Sequence, residues 1–166
     1  IIDDYQIHLI SINVHCDGHD FLDRHCFDPL NFYQTLNASK SYPKTSSPSP
    51  ALIADRLTPL TPHFGEILIL TVSQALSSTY DAFIKAASKL DNVHVLDSRH
   101  VSGSQGLLLY HAAELIHQGL SISDIKIALT EKIAKTHLFV MVDQFDAMIR
   151  SGRVNRLKGR FAQFSG

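Results

Sequence analysis

Residues 66–80 read EILILTVSQALSSTY, and from here onward the pattern of strands and helices is regular. The compact apolar run Glu66–Val72 is typical of a strand that is buried on both faces. A polar turn follows, and Leu76–Leu90 then places apolar residues at helical spacing, on a stripe made of Tyr80, Phe83, Ile84, Ala87 and Leu90. The stretch therefore predicts a buried strand that leads through a polar turn into a helix.

The same alternation continues toward the C-terminus. Val93–Leu96 and His137–Val142 have the pattern of strands. Ser102 and Gln105 form a capping box for a helix that ends at Gly119. Ser121 begins another helix, which runs to about Lys135. A short helix follows at Gln144–Arg150 and is stopped by Gly152. Because connections this long imply right-handed crossovers, the pattern predicts an α/β fold of three layers, with a mostly parallel sheet flanked by helices.

The N-terminal part carries weaker signals. Residues 7–14 are apolar and β-branched enough for a strand, and a polar patch follows from His15 to His25. Asp28-Pro29 is a helix start for a helix that runs to about Ala38, and residues 39–50 have the composition of a loop. Ser49-Pro50 begins a second helix, which Pro59 and Pro62 break.

Composition excludes several classes of protein. The 166 residues are 45% hydrophobic and 19% charged, which is the composition of one globular domain. A net charge of −1 does not indicate a general nucleic-acid binder. Apolar runs such as Ile67–Leu70 are far shorter than the roughly 20 residues of a membrane span. The only cysteines, Cys16 and Cys26, do not form a disulfide scaffold, so we expect a cytoplasmic protein.

The two ends of the sequence suggest an excised piece of a longer protein, since it begins with Ile1 and stops at Gly166 without a natural ending. Residues 150–160 hold five basic residues and no acid. No aromatic residues are interleaved with them, so a solvated segment that meets an acidic partner domain is favoured over a nucleic-acid site. We expect a domain at residues 1–150 and a basic segment at 151–166 that leads to a second domain.

Candidate binding residues follow from the predicted sheet, because ligands of open α/β sheets bind beyond the carboxyl ends of the strands. Ser73–Tyr80 clusters hydroxyls where a helix begins, and a helix N-terminus attracts anions. Simple helix capping by Ser77 or Ser78 is the alternative interpretation. Residues 43–50 offer further hydroxyls, or an ordinary linker, and Arg153 has the planar fork that suits a carboxylate or phosphate.

Other chemistries find little support. The ten histidines raise the question of a metal, but no ligand spacing between His15 and Cys26 matches a known zinc pattern, and neither a metal nor a cofactor is expected. The sequence contains no P-loop, GxGxxG or GxSxG motif. Ser, His and Asp are present, but nothing in the sequence places them together, so no catalytic residue is expected.

Four segments, in order along the chain, resemble motifs of the DegV family of bacterial fatty-acid-binding proteins. The family's Thr-Ser-Gln-Pro-Ser loop corresponds to 45–49 (TSSPS), and its Ser-Ser-x-Leu-Ser-Gly-Thr-Tyr loop to 73–80 (SQALSSTY). An Asp-Ser stretch followed by a Gln-Gly helix matches Asp97-Ser98 and Gln105-Gly106, and a Gly-Arg-Ile/Val turn matches 152–154 (GRV). The resemblance covers nearly the whole chain.

The resemblance implies a protein that is not an enzyme and that holds a long-chain fatty acid by its carboxylate. It implies six ligand-binding residues here: Thr45, Ser46, Ser77, Ser78, Thr79 and Arg153. It also implies a kinase subunit as partner, which phosphorylates the bound acid, and a second domain that closes over the ligand and supplies a His. Ser78 stands where the family has Gly and Gln74 where it often has Ser, so we expect a more crowded head-group site.

Two further expectations follow from the resemblance. Thr45 and Ser77 are expected at the same rim of the sheet, where both hydroxyls reach one carboxylate, and the 166 residues alone are expected to bind fatty acid poorly. The alternative function is an enzyme subunit of the dihydroxyacetone-kinase type that handles a small keto or phosphorylated substrate. Such subunits hold their substrate covalently through a His, and no equivalent His is identifiable in this sequence.

Overall fold

The computed structural model describes residues 2–23, 29–141 and 149–153. Within those ranges the chain forms five strands and five helices. The strands are β1 (Asn13–Cys16), β2 (His19–Leu22), β3 (Lys44–Ser46), β4 (Ile67–Thr71) and β5 (Val93–Asp97). The helices are α1 (Pro29–Ala38), α2 (Pro50–Leu57), α3 (Thr79–Ala87), α4 (Ser102–His117) and α5 (Ile122–Lys135). This mixture confirms the predicted α/β class.

Strands β4 and β5 pair to form a two-stranded sheet. The backbone N–H of Ile67 donates to the carbonyl of Asn92 at 2.8 Å, and that of Ser98 donates to the carbonyl of Thr71 at 3.2 Å. Since the bonded positions advance in the same direction along both strands, the pair is parallel. The carboxyl ends of both strands therefore lie at the same edge, as the sequence predicts.

A second sheet is antiparallel, with strand order β2-β1-β3. Its hairpin turns at Asp17 (φ 49°) and Gly18 (φ 80°), the left-handed pair typical of a two-residue Asp-Gly turn. The expectation of a mostly parallel sheet therefore holds for β4 and β5 and not for these three strands. The strand predicted at residues 7–14 is wrong in position, because the strand in this region is β1, Asn13–Cys16. The segment predicted as a loop at residues 39–50 contains β3.

Backbone contacts divide the chain into two compact units. The first contains the residues up to Ile67 together with Asp81–Val95, and the second contains Leu68–Tyr80 and the chain from Leu96 onward. In the first, the buried apolar side chains are those of Val14, Cys16, Ile53, Leu57 and Phe83. In the second, Ala112 of α4 packs with Ile125 and Leu129 of α5, and Leu68, Leu96 and Leu115 pack against this cluster.

Local capping signals are confirmed at three helix ends. The Ser49 hydroxyl accepts the backbone N–H of Leu52 and begins α2, and the Ser121 hydroxyl accepts that of Asp124 and begins α5. Gly119 (φ 78°) terminates α4, where the N–H of Leu120 reaches the carbonyl of Leu115. These are side-chain N-caps and a Schellman C-cap, which depend only on neighbouring residues.

Four predictions about elements are corrected. Helix α3 is Thr79–Ala87, shorter than the predicted Leu76–Leu90 because the turn after β4 continues to residue 78. Ser102 does not cap α4, since Val101 occupies that position without a side-chain cap and Gln105 reaches the carbonyl of Leu70 instead. Residues 137–141 are exposed and form no strand. In β4 only Thr71 is buried, so the strand is partly covered rather than buried on both faces.

Some predictions fall outside the described residues: the Asp28 cap, Cys26, Val142, most of the helix at Gln144–Arg150 and the basic segment beyond Arg153. Gly152 has φ 70°, consistent with the turn predicted there. In the part of the chain that the structure describes, no helix is long and apolar enough to cross a membrane.

Candidate functional site

The polar turn between β4 and α3 lies where the carboxyl ends of the parallel strands meet. The N–H groups of Leu76 and Ser77 both donate to the carbonyl of Ser73, at 3.0 and 3.1 Å. The N–H of Ser73 donates to the carbonyl of His100, in the segment that follows β5, at 2.9 Å. The turn is therefore fixed by backbone hydrogen bonds both within itself and to the neighbouring segment.

Asp97, at the end of β5, ties the same two segments together. Its Oδ1 accepts the N–H of Gln74 at 3.1 Å and the N–H of Arg99 at 2.9 Å. Arg99 has φ 56°, a conformation uncommon for a residue with a side chain. The role of Asp97 is thus structural, as its position after a strand suggests, because its carboxylate is engaged by backbone N–H groups.

Ser77 and Thr79 form a hydroxyl pair at the start of α3. Their oxygens lie 2.8 Å apart, and the N–H of Thr79 donates to Ser77 Oγ at 3.3 Å. Ser77 thus accepts the N–H of the first residue of α3 from one position before the N-cap, which Ser78 occupies. That contact uses a lone pair of Ser77 Oγ, and the bond between the two hydroxyls uses the hydrogen of one of them.

Arg153 reaches the same turn from the C-terminal side. Its Nε lies 3.5 Å from the carbonyl oxygen of Leu76, next to Ser77 in the chain. The guanidinium carries five N–H donors in all, so this contact involves one of them. Within the second unit, the structure thus brings together Ser77, Thr79 and Arg153 at one turn, with Ser78 exposed between the two hydroxyl residues.

A cavity of about 250 Å³ adjoins this turn. It is lined by Gln74, Tyr80, Leu96, Asp97, Arg99, Thr130 and Ile133. Beside it in the chain, the Ser73 hydroxyl is 1% exposed and, among the described residues, is the buried side-chain oxygen that has no hydrogen-bond partner. Buried hydroxyls are normally satisfied, so this oxygen is an exception among the described residues.

Thr45 and Ser46 belong to the first unit, where both lie on β3. Thr45 is opposite Val14 and Ser46 is opposite Asn13 in the pairing with β1. Because successive strand residues face opposite sides of a sheet, the two hydroxyls project to different faces and do not reach one common atom. The pairing of Thr45 with Ser77 at one carboxylate stays a prediction, since the two residues lie in different units.

Ser46 has partners that the sequence analysis missed. His15 Nε2 lies 2.8 Å from Ser46 Oγ, and His15 Nδ1 is hydrogen-bonded to the carboxylate of Asp20. The side-chain amide of Asn13 lies 3.5 Å from the same Ser46 Oγ. The expectation that nothing brings Ser, His and Asp together is therefore wrong for these three residues. The Asp17-Gly18 turn was the sequence signal for the hairpin that places them.

Asp17, in the turn of that hairpin, anchors the segment that follows α1. Its carboxylate accepts the Ser41 hydroxyl at 2.7 Å, the N–H of Lys40 at 3.1 Å and the N–H of Ser41 at 2.9 Å. These hydrogen bonds, that of the Ser41 hydroxyl foremost, lower the pKa of Asp17 below its ordinary value of 3.8. Its position fixes the approach of the chain to β3.

The metal hypothesis rested on the histidines and cysteines between His15 and Cys26. In residues 2–23, 29–141 and 149–153 there is no group of three or more His, Cys, Asp or Glu side chains that could hold a metal ion. Cys16 is a buried free thiol whose Sγ lies 3.3 Å from the Ser39 hydroxyl.

Comparison with known proteins covers nearly the whole chain. A family model described as an uncharacterised protein of the DegV family matches residues 1–165. A DegV domain-containing protein of Staphylococcus aureus is 29% identical over 155 residues, which are 93% of this chain and 55% of that protein. The chain thus spans about half the length of the curated relatives it matches.

Known structures show the same fold. A Thermotoga maritima protein, described as revealing a fatty-acid-binding function, is 30% identical with a TM-score of 0.71 over 78% of this chain and 49% of that one. DegV of Bacillus subtilis, described as a fatty-acid-binding protein, is 24% identical with a TM-score of 0.84 over 97% and 58% of the two chains.

A third structure is the fatty acid kinase (Fak) B3 protein of Streptococcus pneumoniae loaded with linoleic acid. It is 24% identical, with a TM-score of 0.65 over 75% of this chain and 45% of that one. The family match over residues 1–165, together with the α/β fold and the hydroxyl-bearing turn after β4, confirms the resemblance found in the sequence. The chain belongs to the DegV family.

Proposed function

We propose that the turn at residues 73–79 binds the carboxylate of a fatty acid. The observation that carries this proposal is the meeting of Ser77, Thr79 and Arg153 at the start of α3. A helix N-terminus offers unpaired N–H groups and a partial positive charge, which favour an anion there. The hydroxyl pair, which uses one of its two hydrogens in the bond between Ser77 and Thr79, and the Arg153 guanidinium supply donor types that a carboxylate accepts.

The charges around the turn are compatible with an anionic ligand. Two acids lie near the turn: Asp97, whose Oδ1 is engaged by the N–H groups of Gln74 and Arg99, and Asp81 in the first turn of α3. Arg99 and Arg153 contribute two positive charges, one beside the cavity and one at the turn. The Ser73 hydroxyl, which lacks a partner among the described residues, is a further group that a ligand or its water can satisfy.

Relatives support a fatty acid as the ligand class. The Thermotoga maritima protein that is 30% identical over 78% of this chain is described as revealing a fatty-acid-binding function. We therefore propose a long-chain fatty acid as the ligand, with Ser77, Ser78, Thr79 and Arg153 at its head group. The substitution of Ser78 for the family glycine adds a side chain at an exposed position of the turn.

We further propose that the bound acid is presented to a kinase in the cytoplasm. Support comes from the Streptococcus pneumoniae neighbour, which is named as a fatty acid kinase B protein and was loaded with linoleic acid. The buried free thiol of Cys16 is compatible with a reducing compartment. The chain carries no nucleotide motif, so phosphoryl transfer is assigned to the partner.

Substituting Ser77 by Ala tests the site. Hydrogen bonds to a charged group contribute about 1.5–3 kcal/mol, so we expect the affinity for a fatty acid to fall on the order of tenfold to a hundredfold. Because Ser77 also accepts the N–H of Thr79, the melting temperature should fall as well. Calorimetric titration with a fatty acid and a thermal melt measure the two effects on the same samples.

Ser121→Ala is the control, because the Ser121 hydroxyl also accepts a backbone N–H at the start of a helix, that of Asp124 in α5, and is not part of the candidate site. It should lower the melting temperature by a similar amount while leaving the affinity unchanged. Arg153→Met should also weaken binding, by an amount that shrinks as salt rises. If Ser77→Ala behaves like Ser121→Ala, with stability lost and affinity kept, Ser77 is only a helix cap and the proposed site is wrong.

A further inference from the structure

We propose that Ser46, His15 and Asp20 form a hydrolytic triad that cleaves small carboxylic esters, with the Asn13 amide as a donor to the developing oxyanion. This activity is separate from fatty-acid binding at residues 73–79 and does not depend on it. It rests on four side chains from β1, β2 and β3, all in the first unit.

The hydrogen bonds have the connectivity that a nucleophilic serine requires. Asp20 is a carboxylate and only accepts, so His15 Nδ1 carries the proton that is shared between them. In the neutral imidazole Nε2 is then the acceptor, and Ser46 Oγ, 2.8 Å away, donates its hydrogen to it. The serine is thus linked to the base through Nε2, and the base is oriented through Nδ1, as in serine hydrolases.

Sheet register places the four side chains on one face. His15 is directly opposite Asp20 on β2, and Asn13 is directly opposite Ser46 on β3. Asn13 and His15 are two residues apart on β1, so both project to the same side. The arrangement therefore follows from the backbone pairing itself, which holds each member in place without any long loop.

Asn13 occupies a position suited to an oxyanion donor. Its amide nitrogen lies 3.5 Å from Ser46 Oγ. When Ser46 attacks a carbonyl, the new oxyanion forms beside Oγ, within reach of that amide. Side-chain amides serve this purpose in other hydrolases, where one such donor contributes about 10²–10³ in rate.

The reaction proceeds in two balanced steps. Ser46 Oγ bonds to the ester carbonyl carbon while its proton passes to His15 Nε2; the bond from that carbon to the alcohol oxygen then breaks, and His15 returns the proton to the leaving alcohol. Water attacks the acyl-Ser46 carbonyl and gives one proton to His15. The acid leaves, and Ser46 Oγ recovers its hydrogen from Nε2. Water is the co-reactant, and Asp20 acts as a positioning residue.

Exposure sets the expected substrate class and rate. The side chains of His15 and Asp20 are 39% and 76% exposed, so this face is open to solvent in the part of the chain that the structure describes. Small activated esters are therefore the expected substrates. An open site also weakens electrostatic effects, so turnover should be modest compared with that of buried triads.

The test uses the 166-residue chain with p-nitrophenyl acetate and a fluorophosphonate probe. We expect wild type to hydrolyse the ester and to be labelled on Ser46, as located by peptide mass spectrometry. Ser46→Ala should abolish the labelling at that residue and lower kcat by about a hundredfold or more, which is the size of a general-base and nucleophile contribution. His15→Gln should lower the rate of ester hydrolysis and the rate of labelling at Ser46 by similar factors.

Matched variants separate chemistry from structure. Ser47→Ala and His19→Gln change neighbouring residues of the same types and should keep wild-type rates. Asp20→Asn should lower kcat at least tenfold with little change in KM, because it removes the carboxylate that orients His15. Asn13→Ala should likewise lower kcat. Melting temperatures within a few degrees of wild type verify folding.

The triad is disproved if Ser46→Ala retains the wild-type rate of ester cleavage, or if the fluorophosphonate labels a residue other than Ser46. It is also disproved if His19→Gln lowers the rate as much as His15→Gln does. None of these outcomes bears on fatty-acid affinity, which is measured separately with Ser77→Ala.

Discussion

Asp17 illustrates how much one residue outside a regular element can organise. Its backbone makes the turn between β1 and β2, and its carboxylate holds the segment after α1 through Lys40 and Ser41. The chain then enters β3, where Thr45 and Ser46 lie. A single short polar residue thereby links the hairpin to the strand that carries two of the predicted ligand residues.

The lowered pKa of Asp17 has a consequence for stability against pH. A carboxylate whose pKa is lower in the folded state stabilises that state above its ordinary value of 3.8, and this contribution is lost as the pH falls through the folded-state value. Ser41→Ala removes the strongest hydrogen bond to it. We expect this variant to melt below wild type at pH 7 and the difference to shrink below pH 3.8.

Ser88→Ala is the control for that prediction, because the Ser88 hydroxyl donates to the Lys85 carbonyl and to no ionisable group. Its effect on the melting temperature should be the same at both pH values. A Ser41→Ala deficit that stays constant from pH 7 to pH 3 would show that the hydrogen bonds to Asp17 do not favour its charged form.

At the scale of elements, sequence prediction succeeded where the signal is local. Ser49 and Ser121 cap their helices, and Gly119 ends α4, because each of these roles is fulfilled by residues within one turn. It failed for β1 and β3, which are four and three residues long and are defined by pairing between distant segments. The Asp17-Gly18 turn was present in the sequence, but it lay in a stretch interpreted as a polar patch.

The residues of the candidate sites likewise divide into those that local sequence predicts and those that only the pairing of distant strands brings together. The hydroxyls at residues 73–79 were predictable, because a strand, a polar turn and a helix follow one another directly in the chain. The contact of His15 with Ser46 was not, because 31 residues separate them and only the register of β1 with β3 brings them together. The different faces of Thr45 and Ser46 likewise became visible only once β3 was seen to be a strand.

Replacing either of two glycines of the α4 region by alanine should change the free energy of unfolding, in opposite directions, if α4 ends at Gly119 and contains Gly106. Gly119 has φ 78°, so Gly119→Ala should lower the free energy of unfolding by about 1–2 kcal/mol, the cost of a left-handed residue with a Cβ. Gly106 lies inside α4, where Gly106→Ala should raise it by about 0.5–1 kcal/mol. A Cβ at either position meets nothing within 4 Å, so both effects are conformational.

Urea unfolding monitored by circular dichroism measures both changes. The two variants serve as controls for each other, since the added methyl group is the same. If Gly119→Ala is as stable as wild type, the end of α4 does not need the left-handed conformation. If Gly106→Ala is destabilised, its methyl group meets a neighbour that the structure does not show.

At the scale of the whole molecule, the cavity beside the proposed head-group site bears on how much of a fatty acid the described residues cover. The cavity beside the proposed head-group site is about 250 Å³ and has few apolar side chains in its lining, among them Leu96 and Ile133. Ligand pockets usually measure about 300–1,000 Å³. A cavity of this size has room for a head group and not for a long acyl chain, and weak binding of fatty acid by this chain stays a prediction.

The dependence of affinity on acyl-chain length tests this conclusion. Each buried CH₂ contributes about 0.8 kcal/mol, so four of them would raise the affinity roughly 200-fold if they were fully covered. We expect dodecanoate to bind this chain less than about tenfold more tightly than octanoate, because the added carbons remain in water. Titration calorimetry below the micellar concentration compares the affinities of the two acids, and Ser77→Ala should lower both affinities by the same factor.

A difference in affinity near 200-fold would mean that residues of this chain already form an apolar tunnel. An equal loss of affinity for both acids in Ser77→Ala would still place the carboxylate at α3. The slope with chain length and the effect of Ser77 therefore report separately on the tail and on the head group of one ligand.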